Sequence, residues 1–238
     1  MTARPDKGSR VGPAYTLASA SPRRRRLAAW LGSPFRAVAF DTPEELAGEL
    51  AGDPPALAAR LAADKARAAR DGGVEGPIAA FDTIVDLDGR LLGKPEDLDE
   101  ARAMLAELSG REHLVHTGVA FLCPEDAAPR AFAVTTPVRM RELAEDDVEA
   151  WVAKGELLGC AGAYNIESHL ASVEADECFQ NVAGLPLCHL YAVLASGEAP
   201  CAPEGLVPPN LRCDTERGVR CLLGEALTTA SRPAGTSR

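Results

Sequence analysis

No stretch of the 238-residue chain approaches the roughly 20 consecutive apolar residues that a helix needs to cross a bilayer, which argues against a membrane-embedded protein. The opening run MTARPDKGSRVGPAY is basic but has no apolar segment behind it, so no secretory signal is expected. A surplus of positive charge is also missing. Lys and Arg number 25 against 35 Asp and Glu, leaving a formal net charge of −10. That balance excludes the overall basic footprint of a general nucleic-acid or membrane-surface binder. The seven cysteines never form a C-x-x-C pair. Odd in number, scattered and without an export signal, they read as reduced thiols in a cytoplasm. Cys201, Cys213 and Cys221 fall together near the C-terminus and raise a metal site, against which stands the absence of the close pairs typical of zinc. G-x-S-x-G, H-E-x-x-H and a helix-opening G-x-G-x-x-G are all absent.

What is present is ordinary for a globular protein: 46% hydrophobic and 25% charged residues, in a length that suits one large domain or two small ones. Residues 1–14 read as a flexible leader. AYTLAS predicts a buried strand, and Ser21-Pro22 then starts a helix, with Ser as cap and Pro at its first position. PFRAVAF predicts a second strand. PPALAARLAADKARAARDGG predicts a long alanine-rich helix ended by a Gly pair. PIAAFDTIVDLDGRLLG reads as a strand, a D-G turn and a short return strand. DLDEARAMLAELSGR and AEDDVEAWVAKG predict helices, with two strands joined by a polar loop between them, and LPLCHLYAVLAS a last helix. From about residue 198 periodicity fades into a tail or small appendage. Strands alternating with helices define an α/β class with a mixed sheet.

Three features invite chemistry. Arg23, Arg24, Arg25 and Arg26 crowd the first turn of a helix, the end whose dipole repels cations. A strand running into a helix start is a common phosphate-binding setting, and arginine adds bidentate contacts; Arg23 and Arg24 are the candidates, whereas Arg25 and Arg26 are expected to point into solvent. Asp82 sits mid-strand on the same face as Ile78, Ala80 and Ile84 by the period of two. A carboxylate there must be paired, hydrogen-bonded or bound to metal, which makes it a candidate base or metal ligand. GRLLGKPED resembles a P-loop only superficially, because three residues separate Gly89 from Gly93 and Pro95 follows Lys94. Lys94 and Lys65 are left as isolated cations, and His113 and His116 as strand residues.

LASASPRR, RLAADKARA, FDTIVDLDGRLLGKPED, EARAMLAELSGREHLVHTGVA, AGAYNIES and NVAGLPL, in this order, resemble the Maf family of nucleoside triphosphate pyrophosphatases over roughly residues 15–196. The resemblance implies a mixed twisted sheet flanked by helices, with a nucleotide cleft like that of ITP pyrophosphatases, in a domain spanning 15–197 and followed by an appendage at 198–238. It implies hydrolysis of a nucleoside triphosphate to monophosphate and pyrophosphate with a divalent metal, Mg²⁺ or Mn²⁺, in a cytoplasmic housecleaning role. The substrate is then the nucleotide rather than nucleic acid or membrane, and a homodimer is suggested. Asp82 matches the proton acceptor. Ser19, Arg23, Arg24, Lys65 and Lys94 match substrate-binding positions, and Glu44 with Asp82 would serve the metal. At the three positions that separate dTTP/UTP from 7-methyl-GTP members, the chain carries Arg23, Thr83 and Glu167. The first two favour pyrimidines. Glutamate only accepts hydrogen bonds and would suit a guanine edge, and Ser168, His169 and Glu177 replace glycines usual nearby. The expected substrates are dTTP and UTP, with 7-methyl-GTP as the alternative within the class and a nucleotide-binding division regulator of weak activity as the alternative outside it.

Overall fold

The structure, a computed structural model, describes residues 14–40, 42, 45–197 and 201–230. The expected leader lies almost wholly outside these residues. Seven strands form one mixed sheet: β1 (Tyr15–Ala18), β2 (Phe35–Val38), β3 (Ile78–Leu87), β4 (Arg90–Leu92), β5 (Glu112–Leu122), β6 (Arg130–Met140) and β7 (Ala171–Ser172). Their order is β2-β1-β3-β5-β6-β7, with β4 paired to the far end of β3. β1 runs parallel to both β2 and β3, and every other pairing is antiparallel. The D-G turn predicted between β3 and β4 has positive φ at both Asp88 and Gly89, the signature of a type I′ hairpin.

The strand periodicity assigns each face of β3 to a different layer. Ile78, Ala80 and Ile84 face α2 (Pro54–Asp71), which covers that side of the sheet with Leu57, Ala58, Leu61, Ala62, Ala66 and Ala69. Phe81, Val85 and Leu87 face the main core, filled by α1 (Pro22–Ala28), α3 (Leu98–Leu108), α4 (Glu145–Val152) and α6 (Leu187–Ala195). Because α2 presents mostly methyl groups, it lies unusually close to the strands. At Gly118 of β5 an added β-carbon would stand 1.9 Å from the carbonyl oxygen of Ala58. Gly118 pairs in register with Asp82, so the closest approach of helix and sheet falls beside that carboxylate.

Three helices have no counterpart in the sequence periodicity: the four-residue α5 (Phe179–Val182), and α7 (Asn210–Arg217) and α8 (Leu222–Ala230), of which α8 packs back on α6 and α7 on α8. The cysteine reading needs correction. Cys123, just past the end of β5, is disulfide-bonded to Cys201, and Cys160, Cys178, Cys188, Cys213 and Cys221 are free and buried. A separation of 78 positions carries no pairing signal; the two Cα atoms lie 5.7 Å apart because the segment that follows α6 returns to the end of β5.

Replacing Gly118 with Ala drives a methyl group into the α2 backbone, which cannot yield as a side-chain tip can. The variant is expected to lose about 3 kcal/mol of stability, read as an earlier midpoint in urea unfolding; an unchanged midpoint would mean that α2 has room to withdraw.

Candidate active site

The turn from β1 into α1 forms one wall of a cleft. Ser21 caps the helix, its Oγ accepting from the Arg24 amide at 3.3 Å, and Ser19 Oγ accepts from the Ser21 amide at 3.2 Å. The four arginines then diverge. Arg24 turns inward and is fully engaged: its Nε donates to Gly184 O at 2.8 Å, Nη1 to Phe81 O at 2.9 Å and Nη2 to Thr83 Oγ1 at 2.9 Å. Arg25 is exposed and donates back to Ala20 O at 2.6 Å. Arg26, expected only to face solvent, is exposed yet ion-paired across the cleft with Glu167. Arg23 reaches toward Gly159 O at 3.4 Å and lines the cavity.

The floor is set by α2 and β3. Lys65, one residue beyond Asp64 on the buried side of α2, forms an ion pair with Asp82. Lys65 is 8% exposed and Asp82 1%, so neither charge is left to water. Lys94 follows β4 and stands exposed at the rim. Glu44 lies outside the described residues.

These groups border two connected spaces. The larger is a cleft of about 780 Å³ lined by Ser19, Arg23, Arg24, Arg26, Lys65, Lys94, Glu156 and Glu167, with Phe40 and Thr42 opposite. That is ample for a nucleotide. A recess of about 60 Å³ opens off it through the shared Ser21, Arg23, Arg24 and Lys94, and is lined further by Asp82, Thr83, Val115, Cys160 and Tyr164. Every sequence-predicted site residue within the described chain therefore borders one of two adjoining spaces. Thr83 carries both an Arg24 contact and a 2.9 Å hydrogen bond to Thr117.

Sequence reasoning passed over the residues that hold the recess in shape. Asn181, fully buried, donates from Nδ2 to Val115 O, Val134 O and Thr136 Oγ1 at 3.0–3.1 Å, while its backbone carbonyl accepts from Thr117 Oγ1. It thus staples the 181–184 turn to β5 and β6, as Arg24 staples it to α1. Tyr164 shares a 2.7 Å hydrogen bond with His113 Nε2 behind the recess. Asn181 stands in the NVAGLPL stretch, but nothing in its spacing distinguishes it from a loop residue. Among the described residues, no group of three or more His, Cys, Asp or Glu is gathered around a metal position, and no helix is long and apolar enough to cross a membrane.

Fold and site together define an α/β domain whose sheet carries a buried carboxylate beneath an anion-receptive, nucleotide-sized cleft. The Maf-like protein family model matches residues 14–197, and the chain belongs to that family. A dTTP/UTP pyrophosphatase of Moorella thermoacetica is 42% identical over 183 residues, covering 75% of this chain and 92% of its own length. One of Thermus thermophilus is 40% identical over 187 residues, covering 76% and 94%. Among solved structures, the Ham1 protein of Staphylococcus aureus shares 16% identity with a TM-score of 0.36, over 53% of this chain and 71% of that one.

Burial lowers the His113 pKa from 6.5 to about 4, so the imidazole behind Tyr164 is neutral in the folded chain. Between those values the unfolded chain takes up a proton that the folded one refuses. The stability due to neutral His113 is complete above pH 6.5 and is lost as pH falls toward 4, with a slope of up to about 1.4 kcal/mol per pH unit. Urea unfolding between about pH 7 and 5 is expected to show this decline, and His113→Asn to flatten it; equal slopes in the two proteins would locate the titration elsewhere.

Proposed function

We propose that the chain hydrolyses nucleoside triphosphates between the α and β phosphates, with dTTP and UTP as substrates. The observation that carries this is the ion-paired Asp82 beneath a cation-rimmed cleft, in a chain 42% identical to an enzyme named for those two nucleotides. Asp82 accepts a proton from the attacking water. The water oxygen bonds to the α-phosphorus as the bond from that phosphorus to the bridging oxygen breaks, and pyrophosphate departs. Lys65 supplies the counter-charge without which a buried carboxylate is costly, and fixes its orientation. Ser19 and Arg23 contact the phosphate tail, and Lys94 stands where negative charge grows on the leaving group. Arg24 acts from behind, holding the wall that Thr83 and Gly184 share.

A divalent cation, Mg²⁺ or Mn²⁺, suits this donor set. Mg²⁺ is usually held through one or two carboxylates and substrate phosphates rather than by a full protein cage, so Asp82 together with a triphosphate fits where the described residues form no three-residue cluster. Once bound, the ion supplies charge neutralisation at the phosphates. Glu44, the second expected acid, belongs to the segment outside the described residues.

The choice of base turns on Glu167. A free carboxylate would favour a cationic 7-methylguanine, but Arg26 balances its charge. That pairing supports a neutral pyrimidine. The reading carries with it a cytoplasmic housecleaning role, and the net charge of −10 weighs against nucleic acid as a partner.

The test is pyrophosphate release from dTTP, UTP and 7-methyl-GTP, with and without Mg²⁺ or Mn²⁺. Metal-dependent release fastest on the two pyrimidine nucleotides is expected. Asp82→Asn should lower turnover by about 100-fold or more while nucleotide binding persists. Unaltered turnover would remove Asp82 from the chemistry, and a flat panel would leave a binding protein.

A further inference from the structure

The family model matches residues 14–197, so the segment 201–230 lies beyond the Maf domain, yet it is tied to that domain along its length. Cys201 is bonded to Cys123 just past β5, and Cys201, Ala202 and Leu206 pack on the main core. The Val207 amide donates to Leu31 O at 2.9 Å. A β-carbon on Gly32 would meet Val207 Cγ2 at 2.8 Å, so the segment lies flush on the turn that follows α1 and its 3₁₀ extension, Ala29–Leu31. On α7, the Arg212 guanidinium sits 5.0 Å from the centroid of the Trp30 ring, and that of Arg217 sits 4.6 Å from Phe179. Cys213 Sγ accepts from Gln180 Nε2 at 3.6 Å. Finally, α8 packs on α6.

These ties converge on two pieces of the cleft wall. Trp30, Leu31 and Gly32 stand at the far end of the helical run whose first turn carries Arg23 and Arg24. Phe179 and Gln180 lead into the 181–184 turn, which Arg24 grips through Gly184 O at 2.8 Å. α7 therefore reaches both pieces from outside, as Arg24 joins them from inside. We propose that residues 201–230 are a brace that positions α1 and the 181–184 turn for holding the phosphate tail, with the Cys123–Cys201 disulfide as its latch. The proposal rests on the reading of the cleft as a nucleotide site. Apart from the disulfide, the ties at the start of the segment are a backbone hydrogen bond, a weak N–H···S contact and two guanidinium–ring contacts, each individually modest. A covalent bond across 78 positions restricts the chain far more.

The latch opens to a dithiol reductant. Cys201 is partly exposed and Cys123 is buried, so attack falls on Cys201 Sγ. The reductant's thiolate bonds to that sulfur, the S–S bond breaks, and Cys123 leaves as a thiolate that takes up a proton. The second thiol of the reductant then displaces Cys201, which is protonated in turn. The protein disulfide is reduced to two thiols, and the dithiol is oxidised to a disulfide. The cytoplasmic role proposed above puts the bond among such reductants, where disulfides are commonly redox-responsive. Opening slackens the start of the segment while α8 stays on α6. None of the ties named reaches Lys65 or Asp82, so the grip on substrate weakens while the chemical step persists.

The full chain is purified oxidised and compared with the same chain after dithiothreitol. Thiols open to alkylation in denaturant should rise from five to seven. In the nucleotide-free chain, amides of residues 22–32 and 179–184 should exchange with deuterium about fivefold faster after reduction. KM for dTTP should rise about tenfold, with kcat held within about twofold. Cys201→Ser should match the reduced chain and no longer respond to dithiothreitol. Arg212→Ala should raise KM in the oxidised chain, and Arg212→Lys, which keeps a cation over Trp30, should restore it. Exchange and KM unmoved by verified reduction overturn the proposal. So do seven thiols in the oxidised preparation, or a Cys201→Ser chain that still responds to reductant. Redox-dependent exchange, with α,β-methylene dTTP bound more weakly after reduction but no pyrophosphate released from any nucleotide, would count against the hydrolysis reading and leave the brace standing.

Discussion

The ion pair of Lys65 with Asp82 is the constraint around which the rest of the molecule is arranged. Two opposite charges at 8% and 1% exposure are costly to bury, and their mutual attraction repays that cost only when the geometry is held tightly. The sequence provides for this with small residues. Alanines along α2 and the bare Gly118 opposite Asp82 let the helix settle against the sheet, so that a lysine on its inner face meets a carboxylate on the strand. Losing either partner would leave an uncompensated charge in the interior, typically a penalty of about 3–5 kcal/mol. Stability and chemistry therefore bear on the same pair of side chains.

The arginine run gains its logic from this frame. Adjacent guanidinium groups at a helix start repel one another, yet each is drawn to a different acceptor. Arg24 is committed to two backbone carbonyls and Thr83, Arg25 to its own turn, and Arg26 to Glu167. Arg23 faces the cavity, with a long contact to Gly159 O and its guanidinium beside the Cys160 thiol. The repulsion is thus partitioned: part anchors the walls, part balances an acid at the mouth, and part is presented to the cleft. Asn181 completes the enclosure from the other side by tying the turn that carries Gly184 to β5 and β6.

Much of this was legible in the chain, for identifiable reasons. Period-two alternation fixed which way Asp82 faces, and the Ser21-Pro22 start and D-G turn marked boundaries that reappear in the structure. Contacts between residues far apart in sequence were not legible. Nothing in the spacing of Arg26 and Glu167 announces that they meet, nor does a separation of 78 positions between Cys123 and Cys201 suggest a bond. Asn181 was silent because a staple is defined by what it reaches, not by its neighbours. Helices α7 and α8 escaped because short helices carry too few turns for a periodic signal; α8 leans on α6 and α7 on α8.

Whether Lys65 and Asp82 act as one unit is tested most directly by a double-mutant cycle. Pyrophosphate release is measured for Lys65→Met, Asp82→Asn and the chain carrying both. A unit predicts that each single change is severe and that the combination is no worse than the more damaging of the two. Losses that multiply in the double variant would show the two residues working independently, and would contradict the central role given to the pair.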